Sequence, residues 1–349
     1  MFRDVIGHRR IVELLSRSAA RDSLPPSLIF SGPAGVGKRL TATAVAQSVN
    51  CLQPQAEPGT RNPEPGTRNP EPLSFDACGT CAACKRIARG VHPDVLVLEP
   101  GDNASIKIEQ IRDVVDRAQY RPFEGKRRVV IIDGADALAS AAQNALLKTL
   151  EEPPSMSAFI LVTARPDVLL PTILSRCPRL NFRPLSPHEI ADALVRRGQA
   201  VTAARAVAAA ANGSLGQALD ARAEDFVEAR DVAQRVLAYA ASTADPRRRI
   251  EGAKDLLAKT GSGGASDRGQ LSAHLRAMSS LLRDIALIST RADEGRLANP
   301  DVRPALDRLT PVFQGPRGLH AFAAVDRALV ALERNAGVKV VADWLVLEL

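Results

Sequence analysis

Residues 32–38, Gly-Pro-Ala-Gly-Val-Gly-Lys, have the composition and spacing of a loop that binds phosphate groups. The loop follows an apolar run over residues 27–31 and precedes a helical pattern over residues 38–51, which is the strand–loop–helix context that a P-loop requires. Its glycines let backbone N–H groups surround a phosphate chain, and its lysine can reach the terminal phosphates. We predict a site for ATP formed by Gly32, Gly35, Gly37 and Lys38.

The residues beside this loop are poorly suited to a metal ion. The position after the lysine of a P-loop is normally Ser or Thr, whose hydroxyl binds Mg²⁺, but here it is Arg39. Asp133 ends the apolar run 129–133 and is suited to positioning Mg²⁺. The next residue is Gly134, where hydrolysing proteins of this architecture carry a glutamate that activates water. We assign Arg39 and Asp133 to the nucleotide site and expect that ATP can bind, that Mg²⁺ fits poorly, and that hydrolysis is weak or absent.

A second group of residues with chemical potential is a cluster of cysteines. Cys78, Cys81 and Cys84 are spaced three residues apart, and Cys51 ends the helical pattern that follows the P-loop. Four thiolates can close a tetrahedral structural Zn²⁺ site, and a free-thiol or redox cluster is the alternative. Because no basic helix adjoins the cluster, we expect it to staple an inserted loop rather than to bind DNA. Cys177 belongs to a different motif.

The elements that must position these residues follow from the apolar pattern. Continuous Val, Ile and Leu runs alternate with helical patterns, which predicts a parallel sheet covered on both faces. The expected strands are residues 27–31, 95–98, 128–133, 159–163 and 179–182. The predicted domains are an α/β domain at 1–183 with a zinc-binding insertion at 51–84, a small helical domain at 184–225 and a helical domain at 226–349. A perfect tandem repeat over residues 57–70, rich in Pro and Gly, predicts a mobile surface insertion.

Composition narrows the class of protein. The formal net charge of +7 comes from 46 Lys and Arg against 39 Asp and Glu, which permits attraction to nucleic acid or to an acidic partner without deciding between them. No apolar run approaches the roughly 18 residues of a membrane helix, and charges come too early for a signal peptide. We expect a cytoplasmic protein that has no membrane contact and uses its cysteines as metal ligands or thiols.

With these motifs, the chain resembles the clamp-loader branch of the AAA+ ATPases, and within it the delta-prime subunits of bacterial DNA polymerase III. The segments that carry the resemblance are Phe2–His8, the P-loop, the four-cysteine module, Asn144–Pro154, Ser175–Cys177 and Glu333–Leu345. The resemblance implies an α/β P-loop (AAA+) domain with a parallel sheet, then a small helical lid at 184–225 and an all-α collar for oligomerisation at 226–349.

The resemblance also assigns roles to single residues. It implies that Arg176 is an arginine finger, which acts in trans on the ATP held by a neighbouring subunit, and that Thr163 occupies a polar sensor position. Gly216 stands where a second sensor arginine is usual, which again implies a subunit without working ATPase activity.

The implied function is that of a largely non-hydrolysing ring member of the clamp loader in the DNA polymerase III holoenzyme. The implied partners are tau/gamma and delta subunits in a hetero-pentamer, the sliding clamp, and primer–template DNA held through the assembly, in the nucleoid. One alternative is an active tau/gamma-type ATPase motor of the same machine, and another is a zinc-dependent DNA-binding adaptor on an AAA+ scaffold. The basic stretch Arg121–Arg128 could face DNA, but we predict that it is a solvated loop.

Overall fold

A computed structural model describes residues 1–57, 74–101, 105–211, 213–220, 223–243, 245–257, 265–292, 297–334 and 336–349. The chain divides into two compact units, Met1–Pro184 and Leu185–Leu349, each of which is described by itself. The predicted boundary after residue 225 falls within the helix Ala223–Ser242, and the division into lid and collar stays a prediction. Most of the tandem repeat lies outside the described residues.

The first unit is built on a five-stranded parallel sheet. In chain order its strands and helices are α1 Arg9–Ala20, β1 Ser27–Ser31, α2 Lys38–Asn50, β2 Gln55–Glu57, β3 Ser74–Asp76, α3 Ala82–Ala88, β4 Val95–Leu98, α4 Ile108–Gln119, β5 Arg128–Asp133, α5 Ser140–Glu151, β6 Ser157–Thr163, α6 Pro171–Leu174 and β7 Arg179–Asn181. The strand order across the sheet is β4-β5-β6-β1-β7. The predicted α/β domain with a parallel sheet, followed by helices, is confirmed.

Alternating side chains of the central strands fill a core on each face of the sheet. Leu28 and Phe30 of β1 belong to one buried cluster, whereas Ile29 between them belongs to the other. Each of β1 and β6 is buried along its whole length, because helices cover both faces. This explains why the strands read as continuous apolar runs in the sequence.

The sequence did not predict the two-stranded antiparallel ribbon of β2 and β3, in which Ala56 pairs with Phe75. This ribbon stands at the two ends of the undescribed stretch 58–73.

The second unit is helical throughout its named elements. After α7 Pro187–Arg196 come α8 Val201–Ala210, α9 Leu215–Asp220, α10 Ala223–Ser242, α11 Pro246–Leu257, α12 Ala265–Ser289, α13 Arg303–Phe313, α14 Gly315–Glu333 and α15 Val338–Glu348. A capping box begins α7, since the backbone N–H of Glu189 donates to Ser186 Oγ at 3.2 Å and that of Ser186 donates to the Glu189 carboxylate at 2.9 Å. Within the described parts of the chain, no helix is long and apolar enough to cross a membrane.

Candidate nucleotide and metal sites

Parallel strands bring their carboxyl ends to one edge of the sheet, and four strands place residues of the candidate nucleotide site at that edge. The P-loop follows β1, Glu99 follows β4, Asp133 ends β5 and Thr163 ends β6. The topology thus explains how residues far apart in the sequence meet.

The backbone of the P-loop adopts conformations that require glycine at two positions. Gly32 has a φ of 142°, and a Cβ there would lie 2.1 Å from the carbonyl oxygen of Phe182. Gly37, the N-cap of α2, has a left-handed φ of 103°. Only glycine adopts these conformations without strain, so the loop can turn sharply into the N-terminus of α2. The positive end of that helix dipole then faces the loop, as anion binding requires.

Lys38 is buried beneath the loop. Its Nζ donates hydrogen bonds to the carbonyl oxygens of Gly32 and Pro33, both at 2.5 Å. Burial lowers the pKa of Lys38 to about 8, and the nearby carboxylates of Asp133 and Asp136 partly oppose this shift. The lysine is therefore protonated near neutral pH, although burial makes its positive charge less favourable than it would be in water.

Arg39 lies where a metal ion would be expected to bind. Its Nη1 is 3.3 Å from Asp133 Oδ2 and also forms an ion pair with Glu99 Oε1. Burial raises the pKa of Asp133, whereas the charges of Arg39 and Lys38 act in the opposite direction and that of Glu99 adds to the rise. Because the carboxylate already faces a guanidinium and no Ser or Thr hydroxyl follows Lys38, the residues present do not fit a Mg²⁺ ion.

The backbone at the residue after Asp133 disfavours the glutamate that a hydrolysing site carries there. Gly134 has a left-handed φ of 79°, and a Cβ there would lie 3.0 Å from Pro100 Cγ. A side chain at this position would therefore meet strain and a close contact at once.

Thr163, the predicted sensor, is held by a partner that the sequence did not assign to the site. Its Oγ1 donates to Asp136 Oδ1 at 2.9 Å, and the other oxygen of Asp136 pairs with Arg165 at 3.3 Å. Asp136 follows β5 by three residues, and Glu99 directly follows β4. Their positions just beyond the carboxyl ends of two strands were the signal that could have identified both.

Arg176 lies just after α6. Its Nη2 forms an ion pair with Glu151, at the end of α5, and its Nη1 donates to the carbonyl oxygen of Thr172 at 2.9 Å. A third of the Arg176 side chain, 34%, is exposed. Among the described contacts, Arg176 binds these residues and not the P-loop of its own chain. The adjacent Cys177 is buried, which raises the pKa of its thiol, and it is not one of the four cysteines that cluster.

The structure brings the four predicted cysteines together. The sulfur atoms of Cys51, Cys78, Cys81 and Cys84 all lie within 4.8 Å of one another. In a tetrahedral site with Zn–S bonds of about 2.3 Å, the sulfurs are separated by about 3.8 Å, so only small movements are needed to close around an ion. The four cysteines could therefore hold a metal.

Backbone N–H groups support this arrangement of sulfurs. The N–H groups of Cys78 and Cys81 donate to Cys51 Sγ and Cys78 Sγ, each at 3.3 Å. The bond from Cys81 lowers the pKa of the Cys78 thiol to about 6, whereas burial raises the pKa of Cys84. A bound cation would favour the thiolate form of all four side chains. The donor set thus suits Zn²⁺, for which four cysteines form one of the usual structural sites.

The cysteine cluster is also tied to the beginning of the chain. Asp76, which ends β3, accepts hydrogen bonds from the backbone N–H groups of Phe2 at 2.9 Å and Arg3 at 3.1 Å. The side chain of Gln47 donates to the carbonyl oxygen of Cys84 at 3.2 Å. These contacts link the module to α2 and to the buried Phe2, as expected of a structural element.

One prediction about charged residues near this module is wrong, and a second holds only in part. A basic helix does adjoin the cysteines, because α3 carries Lys85 and Arg86. The stretch Arg121–Arg128 is a loop with no buried residue over 121–127, as predicted, but Arg128 is buried and pairs with the buried Asp94 at 2.9 Å. Asp94 also accepts backbone N–H groups of residues 123–125, which fixes the turn. These four bonds outweigh burial and lower the pKa of Asp94 to about 2.

Comparison with known proteins identifies the family. Residues 7–186, more than half of the chain, match the family model described as "DNA polymerase III, delta subunit". The chain belongs to this family. It is 35% identical over 222 residues to DNA polymerase III subunit delta' of Bacillus subtilis (strain 168), an alignment that covers 63% of this chain and 61% of that protein. The predicted family is confirmed.

Tau subunits are similar as well. The chain is 35% identical over 190 residues to DNA polymerase III subunit tau of Bacillus subtilis (strain 168), covering 54% of this chain and 30% of that protein. It is 33% identical over 189 residues to DNA polymerase III subunit tau of Escherichia coli (strain K12), covering 54% and 26%. The chain therefore spans less than two thirds of the length of each of these relatives.

Proposed function

We propose that this chain is a largely non-hydrolysing subunit of the clamp loader in the DNA polymerase III holoenzyme, and that it supplies Arg176 to the ATP site of a neighbouring subunit. One observation carries the proposal. The chain's own nucleotide site has an arginine on Asp133 where hydrolysis requires a metal ion, while a second arginine, Arg176, lies partly exposed beyond α6.

In this function Arg176 leaves Glu151 and donates N–H groups to the phosphate oxygens of ATP on the neighbouring subunit. A guanidinium matches phosphate geometry and stabilises the charge that spreads over the transferred phosphoryl group. Arginine fingers contribute roughly 10³–10⁵ in rate in phosphoryl transfer. Thr163 and Asp136 hold the end of β6, and Lys38 holds phosphate in the chain's own site, where turnover is weak or absent.

The proposed partners are tau/gamma and delta subunits in a hetero-pentamer, with the sliding clamp and primer–template DNA bound by the assembly in the cytoplasm, at the nucleoid. Residues 184–225 serve as the lid and residues 226–349 as the collar through which the subunits associate. The four cysteines hold a structural Zn²⁺ that ties the insertion to α2. DNA is held through its phosphates, so any contribution of this chain depends on salt and not on base sequence.

The test is DNA-stimulated ATP hydrolysis by the reconstituted loader containing this subunit as wild type, Arg176→Ala or Lys38→Ala. Arg17→Ala, which removes an exposed arginine from α1, is the matched control. We expect Arg176→Ala to lower turnover by at least about tenfold, a lower bound set below the roughly 10³–10⁵ that an arginine finger contributes at one site, while Lys38→Ala and Arg17→Ala leave most of it.

Other outcomes favour the alternatives. If Lys38→Ala lowers turnover as much as Arg176→Ala, the chain is itself a motor subunit of the tau type. If neither change matters, Arg176 is not a finger, and the zinc-dependent DNA-binding adaptor becomes the better description. The basic residues on α3 support that adaptor, although Arg86 is already paired with Glu124 at 2.8 Å. Salt-sensitive DNA binding by the isolated chain, lost when zinc is chelated, would establish it.

A further inference from the structure

The position that a metal ion would take in the nucleotide site is already occupied by a side chain of the protein. We infer that the P-loop of this chain binds a nucleoside di- or triphosphate without a divalent cation, with Arg39 supplying the positive charge that Mg²⁺ supplies elsewhere. This inference rests on the nucleotide site of the proposed function and states the form in which that site takes its ligand.

The charges around Arg39 are arranged as they would be around a bound cation. Asp133 and Glu99 converge on its Nη1, one at 3.3 Å and the other in direct contact. Lys38 lies nearby, close enough for its pKa to respond to Asp133 and Asp136. A divalent ion placed against Asp133 would meet the guanidinium, and the like charges would repel. The carboxylates are therefore satisfied without a metal.

The guanidinium has donors left for a phosphate. Both described bonds of Arg39 come from Nη1, so Nη2 and Nε can donate to phosphate oxygens. The residue is in the first turn of α2, whose N-terminus faces the loop and attracts anions. An arginine that bridges a carboxylate and a phosphate does the work of a bridging metal ion with fixed hydrogen bonds, because its fork of donors matches both groups.

Arg39 does not block the loop. Its side chain is 55% exposed, which places it at the rim and leaves it able to rotate as a ligand enters. The loop keeps the left-handed glycines that phosphate wrapping needs, with φ of 72° at Gly35 and 103° at Gly37. Lys38, now bonded to two loop carbonyls, has only to exchange those bonds for phosphate oxygens.

Equilibrium dialysis of the full chain against ADP and ATP, each in MgCl₂ and in EDTA, tests the inference. We expect the wild-type Kd in the two buffers to agree within about twofold, since no metal ligand is lost. Arg39→Thr removes the resident cation and restores the hydroxyl that binds Mg²⁺. Its Kd in EDTA should rise by about tenfold or more, as expected for a lost charge-assisted hydrogen bond, and MgCl₂ should recover much of that loss.

Three controls keep the result clear. Arg17→Thr makes the same chemical change on the exposed face of α1 and should bind as wild type does. Lys38→Ala should bind weakly in both buffers. If thermal unfolding shows that Arg39→Thr is not folded, Arg39→Gln takes its place and should lose affinity in EDTA without recovery in MgCl₂.

The inference is overturned if MgCl₂ tightens wild-type binding by about tenfold, which would indicate an ordinary metal site. It also fails if wild type retains no nucleotide in either buffer, or if Arg39→Thr binds equally well in EDTA. None of these outcomes affects the Arg176→Ala measurement on the reconstituted loader, so failure of this inference and failure of the proposed function are distinguished.

Discussion

The guanidinium of Arg176 is paired with the carboxylate of Glu151, so the arginine proposed for a neighbour's ATP site is held by its own chain. Glu151 is the last residue of α5, and Arg176 follows α6, so the pair joins the ends of two helices. Both side chains are partly exposed, at 34% and 46%. Such pairs are worth about 0.2–1 kcal/mol, which is small enough to be exchanged for a phosphate when a partner docks.

Weakening this pair should help the finger to leave its own chain. We predict that Glu151→Gln raises DNA-stimulated ATP hydrolysis of the reconstituted loader by up to about fivefold, the rate equivalent of one exposed ion pair. Glu152→Gln, the neighbouring position, is the matched control and should have little effect. A fall in turnover as deep as that of Arg176→Ala would mean that Glu151 positions the finger instead of retaining it.

The lowered pKa of Lys38 gives nucleotide binding a pH dependence. Phosphate binding favours the protonated lysine, and in the free protein this proton is lost around pH 8 because burial lowers the pKa. The affinity for ADP should therefore fall above about pH 8, by at most about tenfold per pH unit, as linkage requires. Equilibrium dialysis between about pH 7 and pH 9.5 measures it.

Lys38→Arg is the control for this dependence, because arginine stays charged throughout the range. Its affinity should change little with pH. The free energy of unfolding should move in the opposite direction from the affinity: the unfolded chain binds the lysine proton more tightly, so this group makes the fold more stable as pH rises from about 8 to 10.5. A wild-type affinity that stays flat to pH 9.5 would show that Lys38 does not hold phosphate.

The strands could be predicted closely because strands that are buried on both faces consist of continuous apolar runs. Ser27–Ser31 and Arg128–Asp133 were predicted with their observed bounds, and the helical pattern predicted over 38–51 ends one residue beyond the observed α2. The ribbon of β2 and β3 was missed, since Gln55–Glu57 and Ser74–Asp76 are short strands with one apolar residue each and show no periodic pattern. The P-loop residues and Cys78, Cys81 and Cys84 could be identified because their spacing is local, whereas Cys51 was added because it ends the helical pattern that follows the P-loop.

Residues whose role depends on tertiary contacts were harder to find. Glu99 and Glu151 are ordinary acidic residues in the sequence, and only the folded chain shows that each faces an arginine. The prediction for Arg128 failed for the same reason. A run of basic residues is usually a solvated surface, but the buried Asp94 accepts this arginine from 34 residues away in sequence.

The cysteine cluster should contain about one Zn²⁺ per chain, because its four sulfurs are arranged for a closed site. Cys84→Ser removes a buried ligand and should lower both the zinc content and the Tm, since the module fixes Phe2 and α2 through Asp76 and Gln47. Atomic absorption and calorimetry on the purified protein measure these two quantities. Cys177→Ser, a buried thiol outside the cluster, should keep its zinc. Pure wild-type protein without zinc would favour the free-thiol alternative.

Restoring one missing catalytic residue should not produce an ATPase. We predict that Gly134→Glu lowers the free energy of unfolding by about 1–3 kcal/mol, the usual cost of a side chain in a left-handed conformation, and adds no intrinsic turnover. Stability is lost because of the φ of 79° and the contact to Pro100. No turnover is gained because Arg39 remains on Asp133, where a metal ion would have to bind. Gly134→Ala carries the same strain without the carboxylate and should lose similar stability. Hydrolysis by the isolated Gly134→Glu chain well above wild type would show instead that this site lacks only its water-activating group.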